Sequence, residues 1–410
     1  MDLKTLDDLP LVAFPGNDYG GQDPYKMLVD LRAQSPLART EVGFVLALRH
    51  RHLDIVTGDL TRQIETESKM IQGIVSGPIF DLVNLAMLFA NGDTHRRRRA
   101  PVSRTFAFKL MDDMRPRIVE IATEMIEDRL DGRPFDFVDE IASQLPARII
   151  AEILGIPRAD LPTFLQWIQD TAAALGFIDM DERERIESSL TAFNAYVGDL
   201  LEDRRTSKGD GFLSSYVEAT AASGELSEGE IRTQILGLIL AGSDTTRGSM
   251  SMTLSEMLQH PAQWSDFVAD PDGLKRQVVQ EGLRYQPVVS AIPRVALKDF
   301  ELDGVAIPQG AVIAVSLVSV LRDPDVFEDA ETFNIHRTDH PKWHPVFGAG
   351  AHRCLGEALA RAEMEETLAT IARLAPNTEL VGAPPKLQPG AIRPIGAMAV
   401  AFRTSSNPLH

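Results

Sequence analysis

The side chain with the greatest reactive potential in this sequence is a lone thiol. Cys354 is the only cysteine in 410 residues, which rules out an internal disulfide and any zinc site built on several cysteines. It lies in the run FGAGAHRCLG, Phe347 to Gly356. Gly348 and Gly350 let the backbone bend tightly and approach a flat ligand that side chains would hold off. A position just before a helix favours the thiolate, because aligned N–H groups face it. Backbone donors around the sulfur would moderate its charge and tune an attached iron. Gly356 lets the following helix pack closely beneath a cofactor. A cysteine by itself reads as ligand, nucleophile or packing, and its glycine frame, with Phe347 and His352 at fixed offsets, favours the ligand.

Three further constellations carry chemistry. Ala241-Gly242-Ser243-Asp244-Thr245-Thr246 lies inside a long helical pattern. Its small residues leave room beside the helix, and a mid-helix hydroxyl and carboxylate can distort the backbone ladder and relay protons. Glu281 and Arg284, three apart, share one helical face. His95 and Arg99, in HRRRR, stand four apart on one side of a helix and suit a pair of carboxylates. The arginine run also admits a solvated face or a nucleic-acid patch.

The elements that position these groups are mostly helices. Leu37 to Asp59 suggests a small strand pair. From Asp112 to about Glu202 the apolar spacing is largely helical, broken at Pro134, Pro157 and Pro162. Arg205 to Gly211 reads as a surface loop. Ser227 and Glu230 form an S-x-x-E capping box for a helix that runs to His260 and stops at Pro261. A further helix is expected from about Leu274 to Tyr285. Between Ala296 and Val320 the pattern turns to β, with a turn at Asp303-Gly304. Leu359, Met364, Leu368, Ile371 and Leu374 mark a final amphipathic helix. The fold class is therefore mainly α with a minor β portion, without the regular β-α alternation of a doubly wound sheet.

Composition narrows the function. The chain is 44% hydrophobic and 24% charged, ordinary globular values. A net charge of −18 argues against nucleic acid as the main partner. The first residues lack a basic stretch followed by an apolar one, and apolar runs such as Ile235 to Ala241 are too short to span a bilayer, so no membrane anchor and a cytoplasmic location are expected.

Together the motifs resemble those of the bacterial cytochromes P450. The cysteine loop matches the family's F-G-x-G-x-H-x-C-x-G at every fixed position, and Ala241 to Thr246 resembles its A-G-x-D-T-T motif. Glu281 and Arg284 match its E-x-x-R pair, and Arg337 in FNIHR maps onto the arginine that completes the ion network. His95 and Arg99 resemble the H-x-x-x-R pair that holds haem propionates, with Arg294 and His352 matching the other propionate contacts. The resemblance runs in order from about Asp23 to Phe402. It implies a lead-in over residues 1–22, a single domain over 23–410 and haem b (iron protoporphyrin IX) between a long distal helix and a proximal helix. Cys354 would be the axial ligand of the iron, with Ala241, Gly242, Phe347, Gly348 and Gly356 also at the cofactor.

The same resemblance implies a monooxygenase that inserts one oxygen atom of O2 into a hydrophobic small molecule, by hydroxylation or O-dealkylation. A ferredoxin-type donor would supply electrons to a monomer. Thr245 would hydrogen-bond dioxygen during its activation and Asp244 would deliver protons. Glu281, Arg284 and Arg337 would maintain the fold. Ile74, Phe80, Leu240, Val288, Val289, Ile292 and Ile395 would line the substrate pocket, with Arg393 available as a carboxylate anchor. Peroxide-driven catalysis and a non-catalytic haem sensor are the alternatives. Arg96, Arg97 and Arg98 stay open, some of them suited to a basic patch for an acidic electron donor. Two departures from the family pattern stand out: Pro101, where a kink or early irregularity is expected, and Leu321, where the family often has asparagine.

Overall fold

A computed structural model describes residues 3–12, 23–106, 113–207 and 210–404. Most of the expected lead-in, Asp112 and two residues of the expected 205–211 loop lie outside them. The chain forms two compact units. The first comprises residues 1–64, 248–354 and 383–396, the second 65–247, 355–382 and 397–410.

The first unit is built on a six-stranded sheet in the order 11–12, 37–40, 45–47, 312–316, 291–296 and 61–63. Its core consists of Leu37, Val45, Ala47, Ile313, Val315 and Leu317, all completely buried. Leu11–Val12, inside the expected lead-in, pairs parallel with Arg39 and Thr40. The expected strand pair appears as Leu37–Thr40 against Val45–Ala47. The expected β stretch from Ala296 begins earlier, at Ala291, and its last strand ends at Ser316, where Leu317–Val320 turns into a short helix. Asp303 and Gly304, at φ 50° and 77°, close the hairpin of Phe300–Leu302 and Val305–Ile307, as the Asp-Gly turn signal predicts.

The helix Pro271–Tyr285 starts three residues before the expected Leu274. Asp270 caps it by accepting the Gly273 N–H at 2.9 Å, and proline in its first turn is harmless because that N–H has no helical partner. This helix packs very tightly. A Cβ on Gly282 would fall 2.7 Å from Cβ of Thr253 and 2.1 Å from its hydroxyl. The β-branched Thr253, at 0% exposure, has little freedom to yield. Gly282→Ala is therefore expected to destabilise the protein by about 1–3 kcal/mol, measured as a lowered urea midpoint; an unchanged midpoint would contradict so close a contact.

The second unit is helical, with a small sheet of Phe135–Asp136, Glu379–Leu380 and Ala399–Ala401. Pro162 does not break a helix as expected: it occupies the first turn of Leu161–Thr171. Pro101 lies inside the helix Gly92–Thr105. The long helix spans Glu228–Gln259, and the boundary between the units falls within it, after Arg247. Its capping box is formed: the Ser227 N–H donates to Glu230 at 2.9 Å, and the Glu230 N–H to the Ser227 hydroxyl at 3.3 Å. Among the described residues no helix is long and apolar enough to cross a membrane.

Candidate active site

In the first unit the cysteine loop is held by its own backbone. The Cys354 N–H donates to the Phe347 carbonyl at 2.8 Å, Arg353 N–H to Gly350 at 3.1 Å and Gly348 N–H to Pro345 at 2.9 Å. Gly348 and Gly350, at φ 68° and 63°, take left-handed conformations that other residues adopt with strain. A Cβ on Gly350 would also press to 3.2 Å against Thr57. The Arg353 guanidinium donates to the Gly348 carbonyl at 3.0 Å. So braced, the loop leaves Cys354 exposed, with His352 half-buried.

Arg294 lies on the strand Ala291–Ala296, next to the edge of the same unit's sheet, and is 3% exposed. It donates only to neutral oxygens: the Val56 carbonyl at 3.3 Å, the Pro293 carbonyl at 2.8 Å and the Gln63 side chain. Burial lowers its pKa to about 10. A buried guanidinium with no carboxylate partner among the described residues suits an anionic group brought by a ligand.

The E-x-x-R pair is fully buried and bidentate, with both Arg284–Glu281 contacts at 2.7 Å. Arg337 Nε lies 3.5 Å from Glu281, as does His340 Nε2. The Asn334 N–H adds a bond of 2.7 Å. Burial pushes the His340 imidazole down to about 4. The fold brings this histidine to the network, and no local spacing in the sequence marks it. Arg284 also donates to the carbonyls of Leu321, Ala330 and Thr332 at 2.8–3.0 Å. At position 321 the backbone carbonyl is thus the functional group.

In the second unit, Gly92–Thr105 carries the arginine run. His95 is buried, and burial, then the neighbouring Arg99, lowers its pKa. Arg99 is half-buried. Arg97 and Arg98 are not free for a partner: both bind Glu230, Arg97 at 2.6 and 2.9 Å and Arg98 at 2.9 Å. Arg98 also reaches the Asn84 carbonyl. Hydrogen bonds from Arg97 first, then from Ser227 and Arg98, hold Glu230 down to about 2. Arg96 is exposed and pairs with Asp93.

The long helix is buried through Ile239 and Leu240, then opens at Ala241 and Gly242, both exposed. A Cβ on Gly242 would meet nothing within 4 Å, and the same holds for Gly356. The hydroxyls of Ser243, Thr245 and Thr246 donate to the carbonyls four residues back, at 2.8, 3.1 and 3.0 Å. Asp244 pairs with Arg247 at 2.5 Å, a partner that no expected motif includes and that only the i,i+3 spacing signals.

The expected pocket residues are mostly packed. Ile74 and Leu240 are buried, and Phe80 is half-buried. Val288 and Ile395 join a cluster with Met252 and Leu387, while Val289 and Ile292 lie against the core of the first unit. Arg393 is already engaged, donating to the Tyr25 hydroxyl at 2.8 Å and the Pro287 carbonyl at 3.1 Å. It is not an open anchor.

Within the first unit, an exposed thiol in a braced glycine loop and a buried arginine that, among the described residues, faces only neutral oxygens suit a flat, anionic, iron-bearing ligand. The chain belongs to the cytochrome P450 family, whose sequence profile matches residues 52–264 and 274–374. It is a monooxygenase of that family, and the family's cofactor is haem b. Among its relatives is "Cytochrome P450-pinF1, plant-inducible" from Rhizobium radiobacter, 40% identical over 365 residues that cover 88% of this chain and 86% of that protein. Luteothin monooxygenase from Streptomyces thioluteus is 32% identical over 380 residues, covering 92% and 91%. The crystal structure of CalO2 superimposes with a TM-score of 0.88 at 27% identity, covering 96% of this chain and 99% of that one.

Proposed function

We propose that this enzyme hydroxylates or O-dealkylates a hydrophobic small molecule, with electrons from a ferredoxin and its reductase. Residues 23–410 act as one catalytic domain. The observation that carries this reading is the exposed, backbone-braced Cys354; the same chain carries the Asp244-Thr245 motif in the opened stretch of its long helix. Cys354 would hold the iron, and His95, Arg99, Arg294 and His352 the propionates. Ala241, Gly242, Phe347, Gly348 and Gly356 would shape the cofactor's surroundings. When bound, thiolate-ligated haem supplies dioxygen activation. The balanced reaction converts a C–H bond, O2, two electrons and two protons into C–OH and water.

The protons are the protein's task. The Asp244 carboxylate is 21% exposed and ion-paired to Arg247, so it can exchange protons with solvent and be steered by that cation. The Thr245 hydroxyl rests on the Ala241 carbonyl at 3.1 Å. Rotation about χ1 frees it to donate toward dioxygen, the next step in the relay. Thr245→Ala is expected to leave substrate affinity within about twofold while product formed per NADH falls at least about tenfold. The lost electrons should emerge as hydrogen peroxide. Unchanged coupling would remove Thr245 from the relay. The function as a whole is tested by reconstitution with a ferredoxin and its reductase. Products carrying label from 18O2 support it, and peroxide-supported turnover exceeding that of the redox chain overturns it.

A further inference from the structure

The most deeply buried lysine has no place in the chemistry above. Lys69, in the short helix Glu67–Met70, is 0% exposed. Its ammonium donates to the backbone carbonyl of Gly176. An ammonium has three donors and a full charge; one carbonyl satisfies a single donor and neutralises nothing. Other buried cations are compensated. Arg284 has Glu281 at 2.7 Å, Arg98 has Glu230 at 2.9 Å and Arg322 has Glu331 at 2.9 Å. Arg294 is assigned to a cofactor carboxylate, and Arg393 lies over the Tyr25 ring at 5.3 Å. Burial lowers the pKa of Lys69 to about 8, and among the described residues no carboxylate pairs with it. The group still carries a proton at neutral pH, at a cost to the ligand-free fold.

The two segments that meet at Lys69 have apolar outer faces. Met70, Ile71 and Val75 on one, and Phe177 on the other, are 54%, 63%, 63% and 48% exposed. A second bond ties the segments, from the Ile178 N–H to the Gln72 side chain at 2.8 Å. A buried cation without a carboxylate among the described residues, on segments that carry exposed apolar side chains, matches an amphipathic anion: the body would cover the apolar side chains and the head would reach the ammonium.

We infer that Lys69 anchors the carboxylate of the substrate, and that the oxidised molecule is an apolar monocarboxylic acid; this rests on the monooxygenase reading above. The carboxylate takes over from the Gly176 carbonyl as acceptor, so the 176–178 segment yields as the ligand enters. A lysine that merely ties the two segments together predicts the opposite responses, which makes the two roles separable.

The test compares dodecanoic acid, adamantane-1-carboxylic acid and biphenyl-4-carboxylic acid, each with its methyl ester, by calorimetric titration of the purified haem-loaded protein. At least one acid should bind about tenfold or more tighter than its ester. Lys69→Met should bring that acid to the ester's affinity, leave the ester within about twofold, and raise the unfolding temperature of the ligand-free protein. Equal binding of acid and ester across all three pairs overturns the inference. So does a variant that weakens both equally and unfolds at lower temperature, the behaviour of a structural tie. If Lys69→Met does not fold, the wild-type comparison alone decides. Binding is read without turnover, so an acid preference in a protein lacking oxygenase activity would sink the monooxygenase reading and leave the anchor standing.

Discussion

Cys354→Ser is expected to abolish both the red-shifted absorption band of the reduced carbon monoxide complex and all oxygenase activity. The substitution replaces sulfur by oxygen with little change of shape. The loop is closed by the Cys354 N–H on the Phe347 carbonyl and by the left-handed turns at Gly348 and Gly350, all backbone features that serine preserves. A thiol lies within reach of neutral pH as a thiolate, whereas a serine hydroxyl does not ionise there, so the strong anionic donor is lost. With only one cysteine in the chain, no second thiol can substitute. Haem should still bind through the arginines and histidines, seen as a Soret band without the thiolate signature. A retained red-shifted band would remove Cys354 as the ligand.

Arg284→Ala is the substitution expected to cost the most stability, about 3–5 kcal/mol, because it strands the Glu281 carboxylate in a dry interior. Both partners are completely buried. The damage extends further, since the same guanidinium holds the carbonyls of Leu321, Ala330 and Thr332. Those carbonyls belong largely to the irregular stretch that precedes the cysteine loop, which has few regular hydrogen bonds of its own. Arg284→Lys should recover little, because an ammonium cannot offer the planar fork that serves five acceptors at once. Urea unfolding and haem content per chain measure both effects. A variant with wild-type stability and full haem loading would show the network to be dispensable.

What the sequence made legible was local. The capping box of Ser227 and Glu230, the Asp303-Gly304 turn and the shared face of Glu281 and Arg284 each rest on spacings of a few residues, where backbone geometry dictates the neighbour. Local signals are ambiguous where one residue type serves two roles: Pro162 suits a break, yet proline is equally at home in the first turn, where it stands. Contacts between distant segments left no trace in periodicity. Glu230 meets Arg97 and Arg98 across more than a hundred residues, His340 meets Glu281, and Lys69 meets Gly176. The sequence therefore leaves Arg96, Arg97 and Arg98 open, whereas in the structure Arg97 and Arg98 are absorbed by one carboxylate.

That carboxylate also has a consequence for motion. Glu230 is gripped by Ser227 on its own helix and by two arginines of Gly92–Thr105, so the first turn of the long helix and the arginine helix behave as one rigid body. Flexing in the long helix must then be taken up further along. Between 239 and 246 three side-chain hydroxyls share the backbone carbonyls of the ladder, which loosens a helix locally. A bend taken up there to admit a bulky guest would swing the proton-carrying Asp244-Thr245 pair at the same moment.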